Sequence, residues 1–449
     1  MSMTFLQAIE PAFPLGLARL TKIAFDGGNL SSLWDSLLSR AIDAPHDAAA
    51  LLDLSIIAHL TGRLDERQML QGHALDVQRI YRKPPAITEA NSLRLLAFMA
   101  PGDFMANIPV EFLLENSAVS LDIVYVIPGK PLPDPLPDHD VAFVAVAESA
   151  ENQPILKQLA ALLPSWPRPI INAPERIAQL TREGTWALLK NARNVVIPMN
   201  ARVSRDDLMR IATSRLSVEE ILNGSRFPVI VRPLDSHAGN GLAKLDDRAA
   251  IETYLQERSE QTFTIAPFVE YRSADGLYRK YRVALIAGRP YACHMAISHH
   301  WMIHYLNAGM LECAEKRAEE ARFMMEFDAD FGARHRDAFK SIAWRIGLDY
   351  VVLDCGETCD GQLLVFESGT NMIVHAMDAP DLFPYKRPQM EKVFADFVSL
   401  LRDRAAGQQS NVEAPDPDVG CELDDVLAAQ SLISARASAS AGERPLAIA

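Results

Sequence analysis

Residues 351–369 read VVLDCGETCDGQLLVFESG. Two apolar runs flank Asp360-Gly361, the strongest short-range signal for a β-hairpin. A two-residue turn at that pair matches Cys359 with Gln362, and counting outward sets Asp354 opposite Glu367. Like charges facing one another across an antiparallel pair destabilise it, and burying them unpartnered costs more. Either the turn is longer or offset and both acids face water, or a cation lies between them.

The stretches upstream bear on that choice. FPVIVRPLDSHAGNGLAKL (227–245) is a strand ending at Arg232, followed by a loop with Gly239 and Gly241. Glycine lets backbone N–H groups approach an oxyanion. Successive N–H groups form an anion nest, and an arginine at its edge suits phosphate. The loop is neither a Walker motif nor a Rossmann fingerprint, since no Gly-Lys-Ser/Thr follows and the third glycine is missing. Taken alone, a plain hairpin with turn glycines explains it equally well. FTIAPFV (263–269) is a short strand containing Pro267, which predicts an edge strand or linker. Its free backbone groups suit the edge of an adenine. YRKYRVALIAGRPYACHMAI (278–297) reads as a hairpin turning at Gly288, with Arg279, Lys280 and Arg282 at its start. Charges on a strand ordinarily mark a solvated face; three cations in an acidic chain, near a glycine loop, point to an anion. Magnesium is commonly held by one or two carboxylates plus substrate phosphates. The facing carboxylates and the phosphate-type loop therefore explain one another as a magnesium–nucleotide site. His294, His299, His300 and His304 crowd 293–310, but no spacing puts three of them on one face, and polar contacts are the expectation there.

The rest of the chain divides around this region. Residues 1–90 read as helical: 48–83 shows helical apolar spacing broken at Thr-Gly-Arg and resembles one tetratricopeptide-type repeat. One repeat does not make a solenoid, so a cap on the next domain or an oligomer contact is expected. Residues 91–190 alternate strand-length apolar runs (LRLLAFMA, LDIVYVI, VAFVAVA) with helical stretches, the pattern of an open parallel α/β sheet. Ligands on such sheets sit beyond the strands' carboxyl ends, here the loop PGDFMANIP (101–109). Residues 191–405 mix strands and helices as α+β. Residues 406–449, rich in Ala, Ser and Pro, read as a disordered tail with one short helix at ELDDVLAAQSLI. The fold class is thus α/β and α+β: a helical segment, an open α/β domain, then an α+β region.

Composition limits the function. The 449 residues carry a net charge of −14 with 44 basic side chains, which argues against a broad nucleic-acid surface. No apolar run has the length of a membrane span, and the five scattered cysteines form no disulfide framework. A cytoplasmic protein that binds neither nucleic acid nor membrane is expected. CGETC (355–359) lacks the further ligands of a zinc site.

In this order, the stretches PIINAPERI, FPVIVRPLDSHAGNGLAKL, TIAPFVEY, YRVALIAGRPY and LDYVVLDCGETCDGQLLVFESGTN resemble the ATP-grasp superfamily of carboxylate–amine ligases. Glutathione synthetase, D-alanine–D-alanine ligase and the glutamate ligases of ribosomal protein tails belong to it. The resemblance covers residues 93 to 400. It implies a pre-ATP-grasp domain followed by an ATP-grasp fold, with ATP between two α+β subdomains. Ser236 to Gly241, including His237 and Gly239, would cover the phosphates, with Arg232 in place of the family's usual lysine. Ala266, Pro267, Phe268 and Val269 would form the adenine hinge, with Glu270 near the ribose. Arg282 and Asn307 match catalytic positions, and Asp354 and Glu367 match the Mg2+ carboxylates. The family's third ligand, an asparagine two residues after the second carboxylate, is here Gly369; Asn371 would have to replace it. The resemblance implies ADP-forming ligation of a carboxylate, through an acylphosphate, to an amine on an amino acid or peptide. A weakened nucleotide-binding scaffold and a small-molecule kinase are the rival readings. The substrate and oligomeric state, including a homo-oligomer, stay open.

Overall fold

The structure, a computed structural model, describes residues 12–89, 92–234, 236 and 239–408. His237 and the segment 409–449, with most of the expected tail and its short helix, lie outside the described residues.

Four helices open the chain: α1 (Leu17–Phe25), α2 (Leu30–Asp43), α3 (Ala48–Leu60) and α4 (Leu64–Val77). α3 is apolar on nearly every side and almost wholly buried, as a core helix must be. Asp47 caps it by accepting from the Ala50 N–H at 2.9 Å. Gly62, at φ 76°, makes the break read from Thr-Gly-Arg. One part of the helical reading is corrected. Ile80–Lys83 is a strand, β1, because its apolar pair Ile80 and Tyr81 is buried against the sheet that follows.

That sheet contains β2 (Leu93–Met99), β3 (Val119–Tyr125), β4 (Val141–Val144) and β5 (Ile170–Ile171), in the order β1-β3-β2-β4-β5. β2 to β5 run parallel and β1 joins β3 antiparallel. The uninterrupted apolar run of β4 is buried throughout, as a parallel strand covered on both faces requires. The chain then lays down β6 (Val195–Val196) before entering a second sheet of β7 (Ala201–Ser204), β8 (Val229–Pro233), β9 (Ala243–Leu245) and β10 (Thr262–Pro267). This sheet is antiparallel, in the order β7-β10-β8-β9. The third sheet holds β11 (Tyr278–Ile286), β12 (Arg289–Ser298), β13 (Tyr350–Glu357) and β14 (Leu363–Gly369), with β6 returning as its edge: β12-β11-β13-β14-β6. The β11–β12 hairpin turns at Ala287-Gly288, both at positive φ, as a two-residue turn demands.

The proline strand is also corrected: β10 is interior, paired with β7 on one side and β8 on the other. Pro267 is tolerated because β7 pairing stops at Ile265↔Ala201, so the missing N–H faces no partner strand.

The first and third sheets share one apolar core, whereas the second packs its own, around Val231, Phe263 and Ile265. Phe397, fully buried on the helix Lys386–Ala405, touches Phe143 of β4 and Tyr350 of β13 with ring centroids 5.6 and 5.5 Å apart. Asn172, at φ 61°, adds a polar tie. Its amide donates to the Tyr350 carbonyl and accepts from the Tyr350 N–H, both at 2.9 Å, so the Asn-Ala-Pro turn completes a backbone pair between sheets. No helix among the described residues is long and apolar enough to cross a membrane.

Two outcomes test this packing. Asn172→Ala strands two buried backbone groups, so unfolding in urea should show a loss of at least about 2 kcal/mol. Asp53 on α3 accepts from the Leu15 and Gly16 N–H groups, and burial pushes its carboxyl up to about 6 against those two bonds. The native state then holds a proton that the unfolded chain has released. The contribution of Asp53 is complete below its ordinary value of 3.8 and is lost as pH rises through about 6. Between pH 4 and 7 the wild type should lose stability relative to Asp53→Asn, measured as the gap between their urea midpoints.

Candidate active site

Asp354 does stand directly opposite Glu367, but the turn that brings it there differs from the expected one. The chain reverses over Thr358–Gln362, with the Gly361 N–H donating to the Thr358 carbonyl and Gly361 at φ 81°. Asp360 is not at positive φ, so the two-residue turn cannot form. The Thr358 hydroxyl instead ties Asp360 and the Gln362 N–H into a wider loop. Glu357↔Leu363 is therefore the last pair, and Cys359 and Gln362 lie in the loop. A bulge at Phe366 then restores the count, giving Cys355↔Val365 followed by Asp354↔Glu367.

The carboxylates are neutralised by cations from neighbouring elements. Arg282 on β11 is directly across from Asp354 on the other side of β13 and grips it through Nε–Oδ1 at 2.8 Å and Nη2–Oδ2 at 3.1 Å. Lys280, two residues earlier and so on the same face, reaches Oδ2 at 2.6 Å. Arg279 faces the other way and pairs with Asp275 and Glu319, so it leaves the expected cluster. Burial would raise the Asp354 carboxyl, but Arg282 and Lys280 overcome it and hold the group far below the carboxylate range. Glu367 is less enclosed and binds Arg182 at 3.0 Å.

Arg182 belongs to no quoted motif. It opens the helix Arg182–Leu189, capped by the Thr181 side chain on the Gly184 N–H. Arg232 comes from β8 in the second sheet. Its Nε donates to the Ser236 hydroxyl at 3.0 Å and a second nitrogen to the Ser236 carbonyl, fixing the start of the glycine loop. Burial, then the neighbouring Arg182 charge, lower the Arg232 guanidinium to about 10. The two arginines lie close enough to repel one another, and each has a partner of its own, Glu367 for Arg182 and Ser236 for Arg232.

Gly239 and Gly241 both have left-handed φ. A Cβ on Gly239 would lie 2.5 Å from His304 Nε2, and one on Gly241 would strike Pro233. His304 thus seats its ring on the glycine turn. Burial first, then Lys280, lower its imidazole from the ordinary value, which favours the neutral ring. Sequence reading placed His304 among crowded histidines without singling it out; its closeness to Gly239 depends on the loop 299–313. Asn307 shares the turn Tyr305–Asn307, is exposed, and accepts from the His304 N–H at 3.1 Å. In the hinge Ala266 is buried, while Pro267, Phe268 and Val269 are half-exposed and the Phe268 N–H is spent on the Pro228 carbonyl. Lys244 lies 4.4 Å over the Phe268 ring. Glu270 is exposed and turns back onto the Tyr271 and Arg272 N–H groups.

The oxygens a magnesium ion would use are held by protein cations here: both Asp354 oxygens by Arg282 and Lys280, and Glu367 by Arg182. The candidate donors are all oxygens: Asp354, Glu367 and the Asn371 amide. A Cβ on Gly369 would lie 3.0 Å from Asn371 Oδ1, so that oxygen occupies the space a side chain at 369 would enter. The Asn371 amide nitrogen donates to the Met105 carbonyl at 2.8 Å. No group of three or more His, Cys, Asp or Glu side chains able to hold a metal occurs among the described residues, so a magnesium ion here needs oxygens from a ligand.

No protein-family model matches the chain. Among solved structures it is similar to the RimK domain protein ATP-grasp from Sphaerobacter thermophilus DSM 20745, at 18% identity and TM-score 0.36 over 69% of this chain and 99% of that one. It is similar to the D-alanine–D-alanine ligase from Bacillus anthracis complexed with ATP, at 12% identity and TM-score 0.38 over 70% of this chain and 97% of that one. A third is the VanG D-Ala:D-Ser ligase from Enterococcus faecalis, at 11% identity and TM-score 0.40 over 69% of this chain and all of that one (100%). At these TM-scores the likeness adds nothing to the chemistry, which rests on the side chains above.

Removing one partner of a buried ion pair costs about 3–5 kcal/mol. Arg282→Met should lose an amount of that order at pH 7 in denaturant unfolding. Because the Asp354 carboxyl is depressed, its contribution is present above its ordinary value of 3.8 and lost as pH falls below it. The deficit of the variant should therefore shrink toward pH 3.

Proposed function

We propose that this chain binds ATP with magnesium and acts as an ADP-forming ligase, joining a carboxylate to an amine. The observation that carries the reading is the meeting of four cations, Arg182, Arg232, Lys280 and Arg282, with only two carboxylates, beside the Gly239–Gly241 turn. Two positive charges are left uncancelled, which suits a polyphosphate better than a neutral ligand. Backbone N–H groups of the glycine turn would hold β- and γ-phosphate oxygens, and Arg232 and Arg182 would clamp them. The hinge Ala266–Val269 would carry the base. Asp354, Glu367 and Asn371 would hold magnesium, which when bound offsets phosphate charge.

In the first step a substrate carboxylate oxygen bonds to the γ-phosphorus as the bond to the β–γ bridging oxygen breaks, releasing ADP. Arg282 and Lys280 would balance the charge on the transferred group. In the second, the amine nitrogen bonds to the acyl carbon, phosphate leaves, and the amine gives up a proton. His304, beside the glycine turn, is in its neutral form a group able to accept it. Catalysis here is positioning and charge balance, with no protein nucleophile. Gly369 in place of an asparagine favours the second reading, a nucleotide-binding scaffold with weakened turnover.

Calorimetric titration with ATP, with and without Mg2+, tests the site. Binding should need magnesium and weaken at least about tenfold, or ~1.4 kcal/mol, in Asp354→Asn with Glu367→Gln. ADP release that requires both a carboxylate and an amine selects the ligase; release with a single acceptor and a stable phosphorylated product selects a kinase. Magnesium-dependent binding without release selects the scaffold, and absence of ATP binding overturns all three.

A further inference from the structure

The loop 101–109 leaves the carboxyl end of β2 and carries more fixed contacts than a surface loop needs. From the helical segment, Gln71 of α4 holds Gly102 in both directions: its Oε1 accepts from the Gly102 N–H at 2.9 Å and its Nε2 donates to the Gly102 carbonyl at 3.0 Å. Gly102 is at φ 147°, and a Cβ there would lie 2.6 Å from that of Ala106, so only glycine fits the bend. His59 of α3 packs its ring on Phe104 with centroids 3.9 Å apart. From the opposite side, Asn371 donates to the Met105 carbonyl at 2.8 Å. The Asn107 side chain pairs with the Ala100 backbone in both directions, and Asn152 donates to the Ala106 carbonyl at 2.9 Å.

The loop is therefore a bridge. One end is gripped by two helices that precede the α/β sheet, and the other touches the residue four positions beyond Glu367. We infer that the N-terminal helical segment is part of the substrate machinery: Gln71 and His59 are positioning residues that set the loop 101–109 against Asn371 and so decide which carboxylate substrate fits. This inference rests on the ligase reading above. Neither side chain is asked to touch the substrate. A two-bond grip on one peptide unit fixes position and orientation together, and misplacing a substrate-bearing wall by about 1 Å can cost up to a hundredfold in rate.

The test uses the full chain and the variants Gln71→Leu and His59→Ala, each checked for an unchanged far-ultraviolet spectrum. Hydrogen exchange is followed in peptides covering 98–109 and 368–376. Steady-state ADP release is measured with a panel of amino acids and short peptides as carboxylate donors, and ATP affinity by calorimetry. The inference expects faster exchange in both peptides and about a tenfold to hundredfold loss in kcat/KM for the carboxylate, taken mainly in KM, differing between panel members and larger than any accompanying loss of ATP affinity. Unchanged exchange in both variants overturns it whatever the fate of the ligase reading. Faster exchange with an unaltered carboxylate profile also overturns it, leaving Gln71 a purely structural clasp. If the wild type releases no ADP with any carboxylate, the ligase reading fails and this role fails with it, while the exchange data still report whether the clasp exists.

Discussion

A buried carboxylate between two cations sets the terms for the rest of the site. Asp354 sits in the middle of the third sheet, where a lone charge would be prohibitive. Strand geometry supplies the remedy. Residues two apart on β11 share a face, so Lys280 and Arg282 both reach across to β13, while Arg279 and Tyr281 point away. This pairing favours one register between β11 and β13, since a one-residue slip would turn both cations from Asp354 and leave it bare. It also sets two cations against one carboxylate on that face of the sheet.

The remaining cations come from elsewhere in the chain. Arg232 stands on the second sheet, whose apolar core shares no residue with the core that unites the first and third sheets. Arg182 begins a helix that precedes both. Because β6 is laid into the third sheet before the chain builds the second, and β11 returns to it afterwards, the second sheet is an excursion anchored at both ends. Its glycine turn is brought back against His304 of the third sheet's loop. Where the two separately packed units meet, the burial of Arg232 and Asp354 is offset by polar and charged partners rather than by apolar packing.

Much of this was legible in the sequence, for reasons that differ by element. Continuous apolar runs announced β2, β3 and β4 because strands covered on both faces have no polar side to show. Ala287-Gly288 gave its hairpin because only positive φ closes so tight a turn. The opposition of Asp354 and Glu367 emerged from counting, yet by two departures that cancel: the loop is wider than Asp360-Gly361 suggests, and the bulge at Phe366 returns the missing residue. Pro267 misled, since a proline can end an interior strand where one neighbour has already stopped. Ile80–Lys83 was hidden at the end of a helical pattern. Arg182, His304 and Gln71 carry no local signature at all; each matters through a contact made far along the chain, which spacing cannot express.

Gly369 shows how a departure from an expected pattern can be read physically. The position lacks a side chain, and the space that a side chain would enter is approached by the Asn371 amide oxygen at 3.0 Å from the Cβ site. A larger residue at 369 would push that oxygen out, so Gly369 and Asn371 form one arrangement rather than a loss beside an unrelated asparagine. The other end of the same amide is tied to Met105. Asn371 therefore joins the carboxylate strand to the loop that the helical segment holds through Gln71 and His59. A change in that loop reaches the Asp354–Glu367 pair through one hydrogen bond and four residues of chain. On this geometry the helical N-terminus, the loop 101–109 and the charged centre are joined by an unbroken series of side-chain contacts.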